Sequence, residues 1–426
     1  MLQKFSKINT VDGILNLPGD KSISHRVVMF SSLADGISRI ENLSDAEDVN
    51  STISCFRQLG CSIERNDKEI IVRGKGFKGF AKPDELYAGN SGTTSRLISG
   101  ILASQQFESV ITGDESLSKR PMKRIMEPLM SMGARLVSTA DYTLPIRILP
   151  SDNLHAIDYL LPVASAQVKS CILLAGLHLE EKTSITELVP TRDHTENLLS
   201  LKVENNNGKR KIFVSRADYP GPNDYFVPSD ISTAAFFIIL ALLTKNAKLV
   251  IRNISLNKTR TGIVDVLRMM GAEIVEDNVK MKMGETYGDL VISGGSLKNT
   301  DIPAELIPNI IDEIPILSVA GLFSEGAFRI SHAKELRYKE TDRIDALCKN
   351  YRLLGLDVSE TEDGFEIGGS IKNKNVVFES YGDHRIAMAF GVLSSLLPSG
   401  GAVENFECVN ISNPDFITQL NKVSQG

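Results

Sequence analysis

Tryptophan is absent from this 426-residue chain, and histidine occurs only six times. The histidines are scattered and form no H-E-x-x-H pair, so no metal is implied. Cysteine is scarce too. Cys55, Cys61, Cys171, Cys348 and Cys408 are odd in number and include no C-x-x-C spacing, which argues against a disulfide framework and a zinc site and for reduced cytosolic thiols. Positive charge is not in excess: 47 basic against 53 acidic residues leave a net charge of −6, which argues against nucleic-acid binding through bulk charge. Long apolar runs are missing. The longest, Ala234–Leu243, is ten residues, about half of what a bilayer requires. The opening MLQKFSKINTVDG has no apolar h-region, so no secretory signal is expected and the chain is read as cytoplasmic, with no membrane partner. There is no P-loop and no nucleophile elbow. GKGFKG (74–79) matches G-x-G-x-x-G, but that fingerprint must open a helix; Pro83 follows here, and a hairpin is expected instead.

What remains is an ordinary globular mixture, 42% apolar and 23% charged, long enough for two or three domains. It is internally repetitive. A small or polar start opens an apolar helix, followed by a strand, a polar loop, an amphipathic helix, a glycine and a hairpin. The first helices begin at Lys21, Ser91, Ser165, Asp230, Asp312 and Asp383, 65 to 82 residues apart. Four of the second helices end in a glycine, at Gly60, Gly133, Gly271 and Gly355, which supplies a left-handed cap. The third copy lacks this signature and the sixth stops before its hairpin. Six units of about 70 residues exceed solenoid size and suggest an α/β protein of two domains, each with three copies. The breakers Pro220, Gly221, Pro222 and Asn223 place the boundary just before the fourth copy. The expected domains are residues 19–228, and 1–18 plus 229–426, the N-terminal strand crossing to join the second.

Helix N-termini carry partial positive charge and free N–H groups, and they bind anions. Six equivalent starts could line one cleft if the domains face each other. Lys21, Ser22 and Arg26 stand at the first start; Asn90, Gly92, Thr93 and Arg96 at the second; Ser165 and Gln167 at the third. The fifth carries Asp312 and Glu313, which alone would be ordinary dipole partners, and the sixth Asp383, His384 and Arg385. The loops before the second helices add Lys119, Arg120, Arg192, His194, Arg337, Lys339, Glu340 and Arg343. Lys339 and Arg343 read as i,i+4 neighbours on one helical face, a repulsive pair unless an anion sits between them. Seven cations (Lys21, Arg26, Arg120, Arg192, Lys339, Arg343 and Arg385) in an acidic chain point to a small, highly anionic substrate bearing phosphate and carboxylate.

LPGDKSISHR (17–26), GNSGTTSR (89–96), KRPM (119–122), ASAQ (164–167), IDEIPIL (311–317), YKETDR (338–343) and GDHRIAM (382–388) together resemble, in collinear order over nearly the whole chain, the motifs of the 5-enolpyruvylshikimate-3-phosphate synthase family. The resemblance implies two domains in an inside-out α/β barrel (the enolpyruvyl transferase fold), a monomer, no cofactor and two small-molecule partners, shikimate-3-phosphate and phosphoenolpyruvate. It implies transfer of the enolpyruvyl group to the 5-hydroxyl, with release of phosphate, in aromatic amino-acid biosynthesis, and sensitivity to glyphosate. Residue by residue, it assigns Ser22 and Arg26 to the shikimate carboxylate. Ser165, the Ala166 backbone, Gln167 and either Thr191 or Arg192 fall to the substrate phosphate, and Asp312 and Lys339 to the ring hydroxyls. Lys21, the Gly92 amide and Arg120 fall to the phosphate of phosphoenolpyruvate, and Arg343 and Arg385 to its carboxylate. Three positions depart from the family pattern: Ala166 stands for a second serine, Glu335 for an asparagine and Ile411 for a lysine.

The implied chemistry is addition then elimination, which requires a base at the hydroxyl and an acid at the methylene. Asp312 is the expected base; Glu340 and Lys21 are candidates for the second role. Abundant cations favour ionised carboxylates, so Glu340 as acid requires local burial. Two alternatives stand beside this. UDP-N-acetylglucosamine enolpyruvyl transferase shares the chemistry but carries a cysteine in the loop matching Asp114–Pro121, which has none here. An inert repeat scaffold would release no phosphate from either substrate pair.

Overall fold

A computed structural model describes residues 1–66, 69–206 and 208–424. Two units separate in it. The N-terminal unit is Gly19–Val227 with Met281–Glu285; the C-terminal unit is Met1–Pro18, Pro228–Lys280 and the chain from Thr286 onward. Relative to the boundaries expected from sequence, Pro228 falls on the other side and the short segment Met281–Glu285 groups with the N-terminal unit.

Each unit is organised around three buried helices. In the N-terminal unit they are α1 (Lys21–Leu33), α2 (Gly92–Leu102) and α3 (Ala166–Gly176); in the C-terminal unit, α4 (Ile231–Leu243), α5 (Ile314–Leu322) and α6 (His384–Leu396). Four of the starts read from sequence, Ser91, Ser165, Asp230 and Asp383, are caps, and Asp20, one residue before the Lys21 start, caps the first helix; each accepts a backbone N–H of the first turn. Such a cap is worth about 1 kcal/mol. Only Ser232 and Thr233 interrupt the apolar sequence of α4, and a helix apolar all round must be buried all round. Its residues Ile231–Leu242 are buried.

Strands cover these helices and alternate in burial. In Ile37–Glu41, Ser38 and Ile40 face inward, and Ile40 opposes Ile70 of the antiparallel partner Glu69–Arg73. Among the described residues six separate sheets result, three per unit. The N-terminal strands do not serve the helix they precede. Asp12–Asn16 pairs in parallel with Lys248–Arg252 of the fourth copy, and Asp224–Phe226, just before α4, pairs in parallel with Arg39–Glu41 of the first. Gln3–Phe5 completes the sixth sheet against Gly401–Val403, taking the place of the hairpin that the sixth copy lacks.

The four cap glycines have φ of +95° (Gly60), +88° (Gly133), +96° (Gly271) and +76° (Gly355), the left-handed region where a side chain is strained. In the third copy Ser200 takes that role at φ +52°. The GKGFKG segment opens no helix and is a loop rather than the expected hairpin. Phe77 within it packs on His178, Tyr219 and the Arg216 guanidinium, so the glycine motif serves protein packing. Four cysteines are buried and Cys408 is half-buried; all five are free thiols. Among the described residues no helix is long and apolar enough to cross a membrane.

Candidate active site

Within the N-terminal unit, side chains from the three helix starts meet. Lys21, the first residue of α1, pairs with Asp48 at 2.9 Å. Ser22 is half-buried beside it, and its carbonyl accepts from Arg26 Nη1 at 2.9 Å. The buried Arg26 guanidinium reaches across to α3 and beyond: Nη2 donates to Ser170 Oγ at 2.7 Å and Nε to Thr195 Oγ1 at 2.7 Å. Burial lowers its pKa to about 10, partly opposed by Glu196 and Asp20, so it stays cationic at neutral pH.

Arg96 of α2 bridges to α3 through Gln167 Oε1 at 2.7 Å, and Gln167 Nε2 donates back to Thr93 Oγ1 at 3.1 Å. A methyl built on Gly92 would lie 2.8 Å from Arg96 Nη1 and 3.6 Å from Arg120 Nη1. Glycine there lets two guanidiniums approach the first turn of α2, leaving the amides of that turn beside positive charge. Arg120 is held by Asn90 Oδ1 at 2.8 Å, and Asn90 by Asp114 at 2.7 Å. Ser165 caps α3 and Ala166 is its first residue. Thr191 is buried, with its hydroxyl donating to Glu187 at 2.9 Å, whereas Arg192 is half-buried before the helix His194–Leu199. Beneath this loop lies Lys169, fully buried between Glu187 at 3.1 Å and Glu196 at 2.7 Å.

In the C-terminal unit, Asp312 is the centre of a cationic cluster. Its carboxylate lies 3.2 Å from Lys339, 3.5 Å from Arg343 and 4.0 Å from Arg385, and is 12% exposed. Arg343 is 1% exposed and sits among acidic partners: Nε pairs with Asp383 at 2.7 Å and Nη2 with Glu340 at 2.5 Å. Burial alone would lower its pKa, but Asp383, Glu340 and Asp312 outweigh that and hold it above the ordinary arginine value. One guanidinium thus carries Glu340 and Asp312 on its two terminal nitrogens. Arg385 Nη1 donates to the Asp312 carbonyl at 2.9 Å.

Three readings from sequence change here. Lys339 and Arg343 do not share a helical face: a 3-10 turn ends at Tyr338 and a new helix opens at Arg343, capped by Asp342. The anion between them is the chain's own Asp312. Asp312 and Glu313 are not dipole partners in solvent, since α5 starts at Ile314 without a side-chain cap and Glu313 is wholly buried. Asp48 and Arg260, which sequence reading did not single out, take part in these clusters, as do Arg96 and Asp383, which it named at helix starts without a substrate role. Arg260 stands in the charged loop before the second helix of the fourth copy, so repeat register alone would have flagged it. Ile411 ends a 3-10 turn at Phe406–Ile411, and it is half-buried.

A family model described as EPSP synthase (3-phosphoshikimate 1-carboxyvinyltransferase) matches residues 5–420. The chain is 44% identical over 429 residues to the 3-phosphoshikimate 1-carboxyvinyltransferase of Salinibacter ruber, covering 100% of both chains. It is 46% identical over 420 residues to that of Petrotoga mobilis, covering 97% of each. Among solved structures it is similar to an EPSP synthase of Acinetobacter baumannii, with a TM-score of 0.86, 40% identity and coverage of 99% of this chain and 98% of that one. An enolpyruvyl transferase of Streptomyces tendae shares the fold at 16% identity, with a TM-score of 0.78 over 99% of this chain and 97% of the other.

Proposed function

Because the chain belongs to the EPSP synthase (3-phosphoshikimate 1-carboxyvinyltransferase) family, we propose how its residues divide that family's reaction among them. The chain is a transferase. It moves the enolpyruvyl group of phosphoenolpyruvate to the 5-hydroxyl of shikimate-3-phosphate, and inorganic phosphate leaves. UDP-N-acetylglucosamine is not favoured as acceptor, and the cysteine-free loop Asp114–Pro121 agrees with that.

The observation that carries the division is the pair of carboxylates on one buried arginine, Asp312 and Glu340 on Arg343. Asp312 takes the proton of the 5-hydroxyl as its oxygen attacks C2 of phosphoenolpyruvate. A proton delivered from Glu340 converts the methylene to methyl, giving a tetrahedral adduct. Glu340 then takes a proton back from the methyl group as the bond to phosphate breaks and the double bond reforms. The proton on Asp312 leaves with phosphate or to water. Lys21 is the second candidate for the methylene step. Its pairing with Asp48 orients the ammonium for the phosphate of phosphoenolpyruvate, together with the Gly92 amide and Arg120. Arg343 and Arg385 take the carboxylate of phosphoenolpyruvate, and Lys339 joins Asp312 at the ring hydroxyls. Ser22 and Arg26 take the shikimate carboxylate; Ser165, the Ala166 amide, Gln167 and Arg192 take its phosphate. Fixed cations in a partly dry site are worth most where charge develops, here on the departing phosphate. No cofactor enters the scheme.

The finer architecture belongs to the same reading: the three sheets of each unit, wrapped outside their helices, correspond to an inside-out α/β barrel. A cytoplasmic monomer is the form proposed. Phosphate release from phosphoenolpyruvate tests the function. It should require shikimate-3-phosphate and should not occur with UDP-N-acetylglucosamine; the opposite preference would overturn the assignment.

A further inference from the structure

We propose that Arg260 is a positioning residue that keeps the Arg385 guanidinium available for the substrate carboxylate by neutralising Glu313. The inference rests on the role proposed above for Arg385. Glu313 is a fully buried carboxylate between two guanidiniums: its Oε1 lies 3.7 Å from Arg260 and 3.7 Å from Arg385. The two are not equivalent. Arg260 Nη2 donates to Ser232 Oγ at 2.6 Å, and the Ser232 hydroxyl makes a short hydrogen bond to Glu313 Oε1. Arg260 is 2% exposed, so it is a built part of the interior and has no access to a substrate. It also lies 3.8 Å from Asp230, the cap of α4. Arg385, by contrast, keeps its short contact to a neutral group, the Asp312 carbonyl, at 2.9 Å.

A buried carboxylate must be compensated. With Arg260 and Ser232 in place, Glu313 has a nearer donor than Arg385. Without Arg260, Arg385 is the remaining cation paired with Glu313 among the described residues, and the pair would close. A guanidinium in a tight buried ion pair is a poor partner for an incoming carboxylate, because the substrate must first displace an internal anion. Loss of Arg260 should therefore weaken phosphoenolpyruvate selectively. Removing the charge of Glu313 at the same time should undo the effect, because nothing then pulls on Arg385.

The test measures steady-state phosphate release and thermal midpoints for the full chain and three variants, Arg260→Met, Glu313→Gln and the double variant. Arg260→Met should raise the KM for phosphoenolpyruvate at least about tenfold, the usual scale for disturbing a charged buried contact, and change the KM for shikimate-3-phosphate and kcat less than about twofold, a shift too small to reflect a lost transition-state contact. The double variant should return the KM for phosphoenolpyruvate to within about threefold of the parent, a non-additivity expected of groups in contact. If Arg260→Met does not fold, the double variant and Arg260→Lys, which keeps the charge, decide the matter: both should bind phosphoenolpyruvate nearly as the parent does. Equal losses for both substrates, or no rescue in the double variant, would overturn the proposal. Failure of the parent chain itself to release phosphate from this substrate pair would instead overturn the functional reading.

Discussion

Asp312→Asn isolates the proposed base, since the side chain keeps its size and loses only its charge and proton affinity. A positioned general base contributes about 10²–10⁴-fold, equivalent to about 3–5 kcal/mol of barrier. Substrate binding should not suffer in proportion. Lys339 at 3.2 Å, Arg343 at 3.5 Å and Arg385 at 4.0 Å all lose an anion, so anionic substrates meet a more positive site. The KM for phosphoenolpyruvate should therefore stay level or fall while kcat drops at least about a hundredfold. Some stability is lost as well. Arg343 keeps Asp383 and Glu340, so the cost is that of one polar partner, about 1–3 kcal/mol. That is a fall of a few degrees in melting temperature for a unit of this size, and an assay at 25 °C would still observe folded protein. Retention of more than half of kcat would refute Asp312 as base. An unchanged kcat with a KM raised tenfold would assign it to binding alone.

Arg120→Ala should raise the KM for phosphoenolpyruvate at least about tenfold, since loss of a charged hydrogen-bonded partner costs about 2–5 kcal/mol; titration of shikimate-3-phosphate alone should barely change. Gly92→Ala places a methyl 2.8 Å from Arg96 Nη1, so Arg96 must loosen its hold on Gln167. Glyphosate, the family's phosphonate competitor of phosphoenolpyruvate, should then inhibit about fivefold or more weakly, the scale of overpacking a fitted contact; equal inhibition of both forms would refute the steric reading. Burial lowers the His178 pKa to about 4 from an ordinary 6.5, with Lys78 and Arg216 pushing the same way. The unfolded chain therefore takes up this proton first as pH falls, and stability present above about 6.5 is lost progressively towards pH 4, by up to about 3 kcal/mol. Urea midpoints of the parent and His178→Gln between pH 7 and 4.5 check this: the parent should lose more, and parallel losses would contradict it.

Much of the fold was legible in the sequence because its signals are local. Apolar helices with small polar starts, and glycines that must adopt positive φ after the second helices, repeat with the period of the structural unit. The strand exchange was legible only as two chain crossings, because nothing within three- or five-residue strands such as Gln3–Phe5 and Asp12–Asn16 encodes a partner some 240 or 400 residues away. The site divides along the same line. Charges concentrated at helix starts and in the loops before second helices marked Lys21, Arg26, Asp312, Lys339, Arg343 and Arg385. What they touch was hidden. The i,i+4 reading of Lys339 and Arg343 failed because Asp342 caps a new helix between them. The counter-ions Asp48 and Asp383, and the buried Arg260, are ordinary caps and loop residues until the fold brings them to a partner.

The most direct test of the proposed chemistry is to run the reaction in deuterated water and record the mass and proton spectra of the product. Addition followed by elimination passes through a methyl group, so deuterium should appear in the enolpyruvyl methylene, only when shikimate-3-phosphate is present, and incorporation should fall with kcat in Glu340→Gln. Product formed without deuterium in that methylene would contradict the account, in which the methyl group rotates before it loses a hydrogen and so retains solvent deuterium in most turnovers.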